Sequence, residues 1–152
     1  MVFTKAVGSI GIAAVVGAGV AFPGSIAGLY IAHAFLPGPV SGEIIMGLVV
    51  LGGLGGAIFG LPCGALGWLS CYSGWPCGLR VWLVTVSFGI GVAAIGGATF
   101  YWLLIAPRAT VDEHSIVIAG IALTIGVGGS GGTSALIGRT IAIALRVYHE
   151  SS

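Results

Sequence analysis

The chain has 152 residues, of which 57% are hydrophobic and only 6% charged, and its formal net charge is +1. A soluble domain carries about 25% charged residues, so this sequence lacks the side chains to coat a water-facing surface of its own size. The near-neutral balance excludes the electrostatic footprint of nucleic-acid binding, and there is no polybasic run to hold anionic lipid.

Glycine makes up 29 of the 152 residues, far above the usual ~7%, but without the Gly-X-Y period of collagen. The three cysteines, Cys63, Cys71 and Cys77, are too few for a disulfide framework and lack zinc-ligand spacing.

Four apolar runs follow one another, over residues 6–35, 44–69, 81–106 and 115–145. Each exceeds the ~20 residues needed to cross ~30 Å of hydrocarbon. Backbone groups in lipid must be satisfied within the segment, so the runs are expected to be helices. They lack the alternation of barrel strands. Ala32-His33-Ala34 resembles a signal-peptidase site and Lys5 a thin basic region, but the first run is far longer than the 7–15 apolar residues of a signal peptide and is expected to be a retained helix.

The breaks carry turn chemistry. Pro37-Gly38-Pro39-Val40-Ser41-Gly42 ends the first hairpin, Ser73-Gly74-Trp75-Pro76-Cys77-Gly78 separates the second and third runs, and Pro107 to Glu113 closes the third. Such short loops place successive helices antiparallel and adjacent. Lys5, Arg80, Arg139 and Arg146 fall at one end of this arrangement, whereas Arg108 lies at the other with Glu43, Asp112 and Glu113. The basic bias predicts that both termini face the cytoplasm or its equivalent, with Cys71 and Cys77 as thiols on that side. Trp68, Tyr72, Trp75, Trp82 and Tyr148 gather at the basic end, and Tyr30, Tyr101 and Trp102 near the other, as interfacial belts do.

The second and fourth runs share a GGxGG pattern at mid-depth: Gly52-Gly53-Leu54-Gly55-Gly56 and Gly128-Gly129-Ser130-Gly131-Gly132. Gly11–Gly17 in the first run likewise resembles Gly91–Gly97 in the third. Two tandem parallel copies of a helical hairpin, over residues 6–70 and 81–146, are the economical reading.

Gly52, Gly56, Gly60 and Gly64 recur every four residues, so they share one line of a helix where another backbone can approach. Ser9, Ala13, Gly17, Ala21 and Ser25, then Gly89, Ala93 and Gly97, then Gly120, Thr124, Gly128 and Gly132 give the other runs small-residue faces. More such faces than one bundle needs implies that some meet other subunits. The sharper alternative is a binding site, since Gly-interrupted segments at matching positions of two repeats point to transporters. In that case Ser130 and Thr133 would add hydroxyls.

Duplicated glycine-rich hairpins resemble the rotor proteolipids of rotary ATPases. Those need a mid-membrane carboxylate, and here the mid-depth positions are Gly, Ala, Leu and Val, so nothing is carried over. Charged residues in the spans are few: Glu43 at a span end, and Arg139 and Arg146 near the basic edge, where long side chains snorkel. His33 reads as an interfacial residue, and His114 and His149 as loop and tail residues. No metal or cofactor site is expected.

No nucleophile–base–acid set, phosphate loop or HExxH appears, so the chain is not expected to be an enzyme. The composition and glycine faces favour an all-α integral membrane protein, a four-helix bundle, acting as a non-catalytic structural or accessory subunit of a larger membrane assembly. Its expected partners are the lipid bilayer and other membrane subunits. The alternative is a small homo-oligomeric channel or transporter built around the GGxGG segments.

Overall fold

The computed structural model describes the backbone of residues 2–72, 79–110 and 112–150, and the side chains of these except at positions 2, 72 and 147–150. The expected turn at 73–78 with Trp75 and Cys77, and the side chains of Tyr72, Tyr148 and His149, lie outside the described residues. Among the described residues four long helices make up the fold: α1 (Val2–Phe35), α2 (Gly42–Tyr72), α3 (Leu79–Phe100) and α4 (Glu113–Glu150). A π-helical turn (Tyr101–Ile105) and a 3-10 turn (Ala106–Arg108) extend α3. All four are long and apolar enough to cross a membrane, and the architecture is that of a multi-pass membrane protein.

Local chemistry sets the boundaries. The Asp112 carboxylate accepts the backbone N–H of Ser115 at 3.0 Å, and the Asp112 carbonyl accepts that of Ile116 at 3.1 Å, so Asp112 is the N-cap of α4. Glu113 adds negative charge in the first turn. Pro107 cannot donate to the helical ladder and forms part of the tight turn that ends α3. Pro23 and Pro62 lie inside α1 and α2, which continue through them, as helices surrounded by other helices tolerate. α2 runs on to Tyr72, past the expected end at residue 69, and buries the free thiol of Cys71 among Trp68 and Ala142.

α4 is the hub. It is 56% buried over its most apolar stretch, against 22–33% for the other three, and it packs along all of them. α1 and α2 also pack on each other, whereas α2 and α3 meet sparsely. The start of α1 and the end of α4 share one end of the bundle, where Ala6 packs near Trp68, Cys71 and Ala142. Large apolar side chains such as Val15, Leu54, Phe88 and Ile95 point outward.

The helices approach through residues with little or no side chain. Gly52, Gly56, Gly60 and Gly64 run antiparallel along α1: a methyl group built on Gly56 would sit 2.9 Å from the Gly17 carbonyl oxygen and 3.0 Å from the Ala18 Cα. One built on Gly60 would meet the Ala14 Cα at 3.1 Å, and one on Gly64 the Ala13 Cβ at 2.9 Å. α1 meets α4 in the same manner, with Gly24 against Gly126 (3.2 Å) and Gly28 against Ala122 (2.8 Å).

Two predictions follow from these contacts. Gly56→Leu should lower unfolding stability by about 1–3 kcal/mol or more, as overpacking does. Gly53→Ala, which adds a methyl where nothing lies within 4 Å, should be neutral or slightly stabilising; thermal unfolding in detergent compares the two. At the α4 cap, the Ser115 N–H holds the Asp112 carboxyl below the usual carboxylate range. A depressed carboxyl stabilises the folded state above its unfolded pKa and loses that effect as pH falls through the folded value. The protection of the Ser115 and Ile116 amides, taken against the intrinsic exchange rate at each pH, should therefore fall on acidification, and Asp112→Asn should remove that pH dependence.

Candidate functional site

At mid-depth the GGxGG segments are continuous α-helix. Gly52 and Gly56 face α1, while Gly55 lies against Val127 of α4 (2.9 Å to a built methyl). Gly128 and Gly132 face α3, where built methyls would fall 3.1 Å from the Ala94 Cβ and 2.6 Å from the Ile90 Cγ1. A methyl on Gly131 would meet the Gly89 carbonyl oxygen at 2.5 Å and the Cys63 sulfur at 3.2 Å. Gly53 and Gly129 face away from the other helices, with no described atom of them within 4 Å of a built methyl.

The hydroxyls at this depth are satisfied by backbone. Ser130 Oγ donates to the Val127 carbonyl (2.7 Å) and Thr133 Oγ1 to that of Gly129 (3.0 Å), each within its own helix. Ser25, fully buried, donates to the Ala21 carbonyl (2.7 Å). Ser134 reaches across instead: its Oγ donates to the Ala13 carbonyl of α1 at 2.9 Å and lies 3.0 Å from where a methyl on Gly60 would stand. It is the polar pin where α1, α2 and α4 meet. The expected small-residue faces of α1, α3 and α4 are largely buried within the chain, and so lend no weight to contacts with other subunits.

Sequence reasoning missed Ser134, the close pairs Gly24–Gly126 and Gly28–Ala122, and Gly67 and Gly138, which abut the backbones of Ala135 and Gly64. Gly24-Ser25-Ile26-Ala27-Gly28 is a GxxxG signal that marks the α1 side of both close pairs.

Between α2, the π turn and α4 lies a cavity of about 150 Å³, lined mainly by Ile44, Leu48, Leu51, Tyr101, Ile105 and Leu123, with the exposed Glu43 at its edge. Tyr101 donates its hydroxyl to the Ile116 carbonyl (2.8 Å) and meets Trp102 edge-on, with ring centres 5.3 Å apart. Both rings rest on Gly120, where a methyl would fall 2.8 Å from Tyr101 and 2.9 Å from Trp102. His33 is exposed at the end of α1. Among the described residues no group of three His, Cys, Asp or Glu is placed to hold a metal ion.

The other notable group is Arg139. Sequence reasoning placed it as a snorkelling anchor at the membrane edge; it is in fact fully buried. The reason is the seating of α4 on α2. Gly138 packs on the Gly64 backbone and Ala135 on that of Gly67, which carries Arg139 inward to the last turns of α2. Its Nη1 donates to Ser70 Oγ (2.7 Å), which in turn donates to the Gly67 carbonyl (2.7 Å). Its central carbon lies 5.4 Å from the centre of the Trp82 ring on α3, within cation–π range. Nε and Nη2, both buried, have no hydrogen-bond partner among the described residues. Arg146, one helical turn pair further on, donates to the Cys71 carbonyl at 3.4 Å.

No family model, curated protein or solved structure matches the chain.

Ser134→Ala should remove the hydroxyl bond from α4 to the Ala13 carbonyl of α1, destabilising the bundle by about 0.6 kcal/mol, the average for hydrogen bonds between membrane helices. Ser134→Val should be worse, since its second methyl has to fit against Gly60 and Gly17. Thermal unfolding of both variants in one detergent gives the order.

Proposed function

We propose that the protein is a non-catalytic structural subunit of a larger membrane assembly, with its inward small residues building the unit and a second, outward set docking it to neighbours. The observation that carries this reading is that Gly8, Gly11, Gly19, Gly53, Gly91 and Gly129 are helical and have no atom of another part of the chain within 4 Å of a built methyl. Glycine inside a helix is destabilising by roughly 1 kcal/mol relative to alanine, and at these positions no contact within the chain offsets it. Lipid tails do not require a smooth helix; a neighbouring helix does.

Support for the non-catalytic part is the state of the polar groups at mid-depth. Ser130, Thr133 and Ser134 bond to carbonyls, and the glycines of both GGxGG segments other than Gly53 and Gly129 are covered by helices. A channel would reach this depth only between copies, along Gly53 and Gly129. The tandem-hairpin reading belongs here too: Gly52 and Gly56 face α1 as Gly128 and Gly132 face α3, which two copies of one hairpin would produce. The basic end, with Lys5, Arg80, Arg139 and Arg146, is proposed to face the cytoplasm.

Cross-linking in native membranes should trap the chain in species well above its own 15.1 kDa. Gly19→Leu should abolish them while leaving thermal stability unchanged. Liposomes containing the purified protein should pass ions and small solutes no faster than empty ones. Robust flux, eliminated by Gly129→Leu with the fold intact, would replace this reading with the homo-oligomeric channel.

A further inference from the structure

A buried guanidinium is a permanent cation with five N–H donors and no acceptor. Taking one out of water is unfavourable by several kcal/mol unless charge and hydrogen bonds compensate, so intramembrane ionisable residues mark function by default. Arg139 is only partly compensated. Nη1 is committed to Ser70, and the Trp82 ring lies nearby. Nε and Nη2 have no hydrogen-bond partner among the described residues. These two groups share one edge of the planar guanidinium, and their parallel N–H bonds form the fork that grips two oxygens of one oxyanion at once.

The surroundings call for an anion. Glu43, Asp112 and Glu113, the acidic residues with described side chains, all belong to the opposite end of the bundle. Lys5, Arg80 and Arg146 share the end where Arg139 sits. Depth argues for which anion. Arg139 is level with Ser70, two residues before α2 ends at Tyr72. A helix of 31 residues rises about 46 Å at 1.5 Å per residue, well beyond the ~30 Å hydrocarbon layer. The last turn of α2 therefore reaches the headgroup region, where phosphate is the prevailing oxyanion.

We propose that the Nε–Nη2 edge of Arg139 is a binding site for a phosphate group, held as a bidentate pair between α2, α3 and α4 and supplied by a phospholipid headgroup or by a small phosphate-bearing solute. Ser70 fixes the guanidinium from its other side and thereby aims the fork. Lysine would not substitute, since an ammonium offers a point charge in place of two parallel donors. The proposal is independent of the assembly reading above.

The test uses the full-length protein in a sugar-headgroup detergent, which contains no phosphate. Inorganic phosphate is titrated in one arm and short-chain phosphatidic acid in the other, with chloride at matched ionic strength as control. The readouts are thermal stability, lipid retained in native mass spectrometry, and the Nε–H resonance of Arg139. At least one arm should raise the stability of the wild type and shift that resonance. The arm that does so identifies the source. Arg139→Lys should weaken binding about tenfold or more, the loss expected when one charge-assisted hydrogen bond of 1.5–3 kcal/mol goes. Arg80→Gln, which removes an exposed charge at the same end, should leave affinity within about twofold, since screened surface charges contribute little. If Arg139→Lys does not fold, the wild-type resonance still decides. The proposal is overturned if neither ligand moves that resonance, or if Arg80→Gln weakens binding as much as Arg139→Lys.

Discussion

Two helices in a bilayer gain nothing by hiding apolar surface from one another, because lipid tails already cover it; what remains is close contact between backbones. Nearly everything in this bundle depends on that contact. Gly56 on the Gly17 carbonyl, Gly28 on Ala122 and Gly138 on Gly64 bring helix axes together where side chains would hold them apart. Dispersion between atoms at van der Waals distance is individually tiny, so it accumulates only where long stretches of helix run side by side. α4 supplies such stretches to all three neighbours at once. The hydroxyl of Ser134, reaching the Ala13 carbonyl, then fixes the register of α1 against α4 in a way that smooth glycine faces alone do not.

The same physics explains why the least apolar span sits in the middle. The most apolar stretch of α4 has a mean hydropathy of 1.6, below the 1.9–2.3 of the others, yet it is the most buried. A helix facing lipid has to be apolar outside. One facing other helices can carry Ser130, Ser134 and Arg139, provided its neighbours supply acceptors or room. Burial by protein relaxes the demand for hydrophobicity that burial in lipid imposes.

That inversion marks how far the sequence could be read. The four spans were legible because lipid admits so few backbone solutions; the expected bounds 44–69 and 115–145 lie inside α2 and α4. The Gly52–Gly64 line was legible as a contact surface because spacing fixes the face of a helix. Spacing does not fix which neighbour lies there, and the neighbour proved to be α1 of the same chain. The π turn at Tyr101–Ile105 had no local signal. It accompanies the seating of Tyr101 and Trp102 together on Gly120, a contact between residues far apart in sequence. Arg139 was misplaced for a related reason: its depth is set by how Gly138 and Ala135 seat α4 on α2, and a hydropathy plot carries no such information.

Polar groups in this protein divide into two kinds. A serine or threonine in a helix can return its single donor to a carbonyl of the preceding turn, as Ser25, Thr124 and Thr133 do. Such residues are self-sufficient at any depth, and their presence near GGxGG does not by itself call for a solute. A guanidinium has five donors spread over a rigid plane, and its own helix cannot satisfy them. Ser70 takes one, itself donating to the Gly67 carbonyl, and Nε and Nη2 find no acceptor among the described residues. The hydroxyls of the mid-depth interior are therefore satisfied by the residues around them, whereas among the described residues buried nitrogens are left over towards the ends, on Arg139 at the basic end and at His114 Nε2 at the other. Any ligand that this chain binds by polar contacts within the bundle is expected near an end, and only the basic end adds a permanent charge.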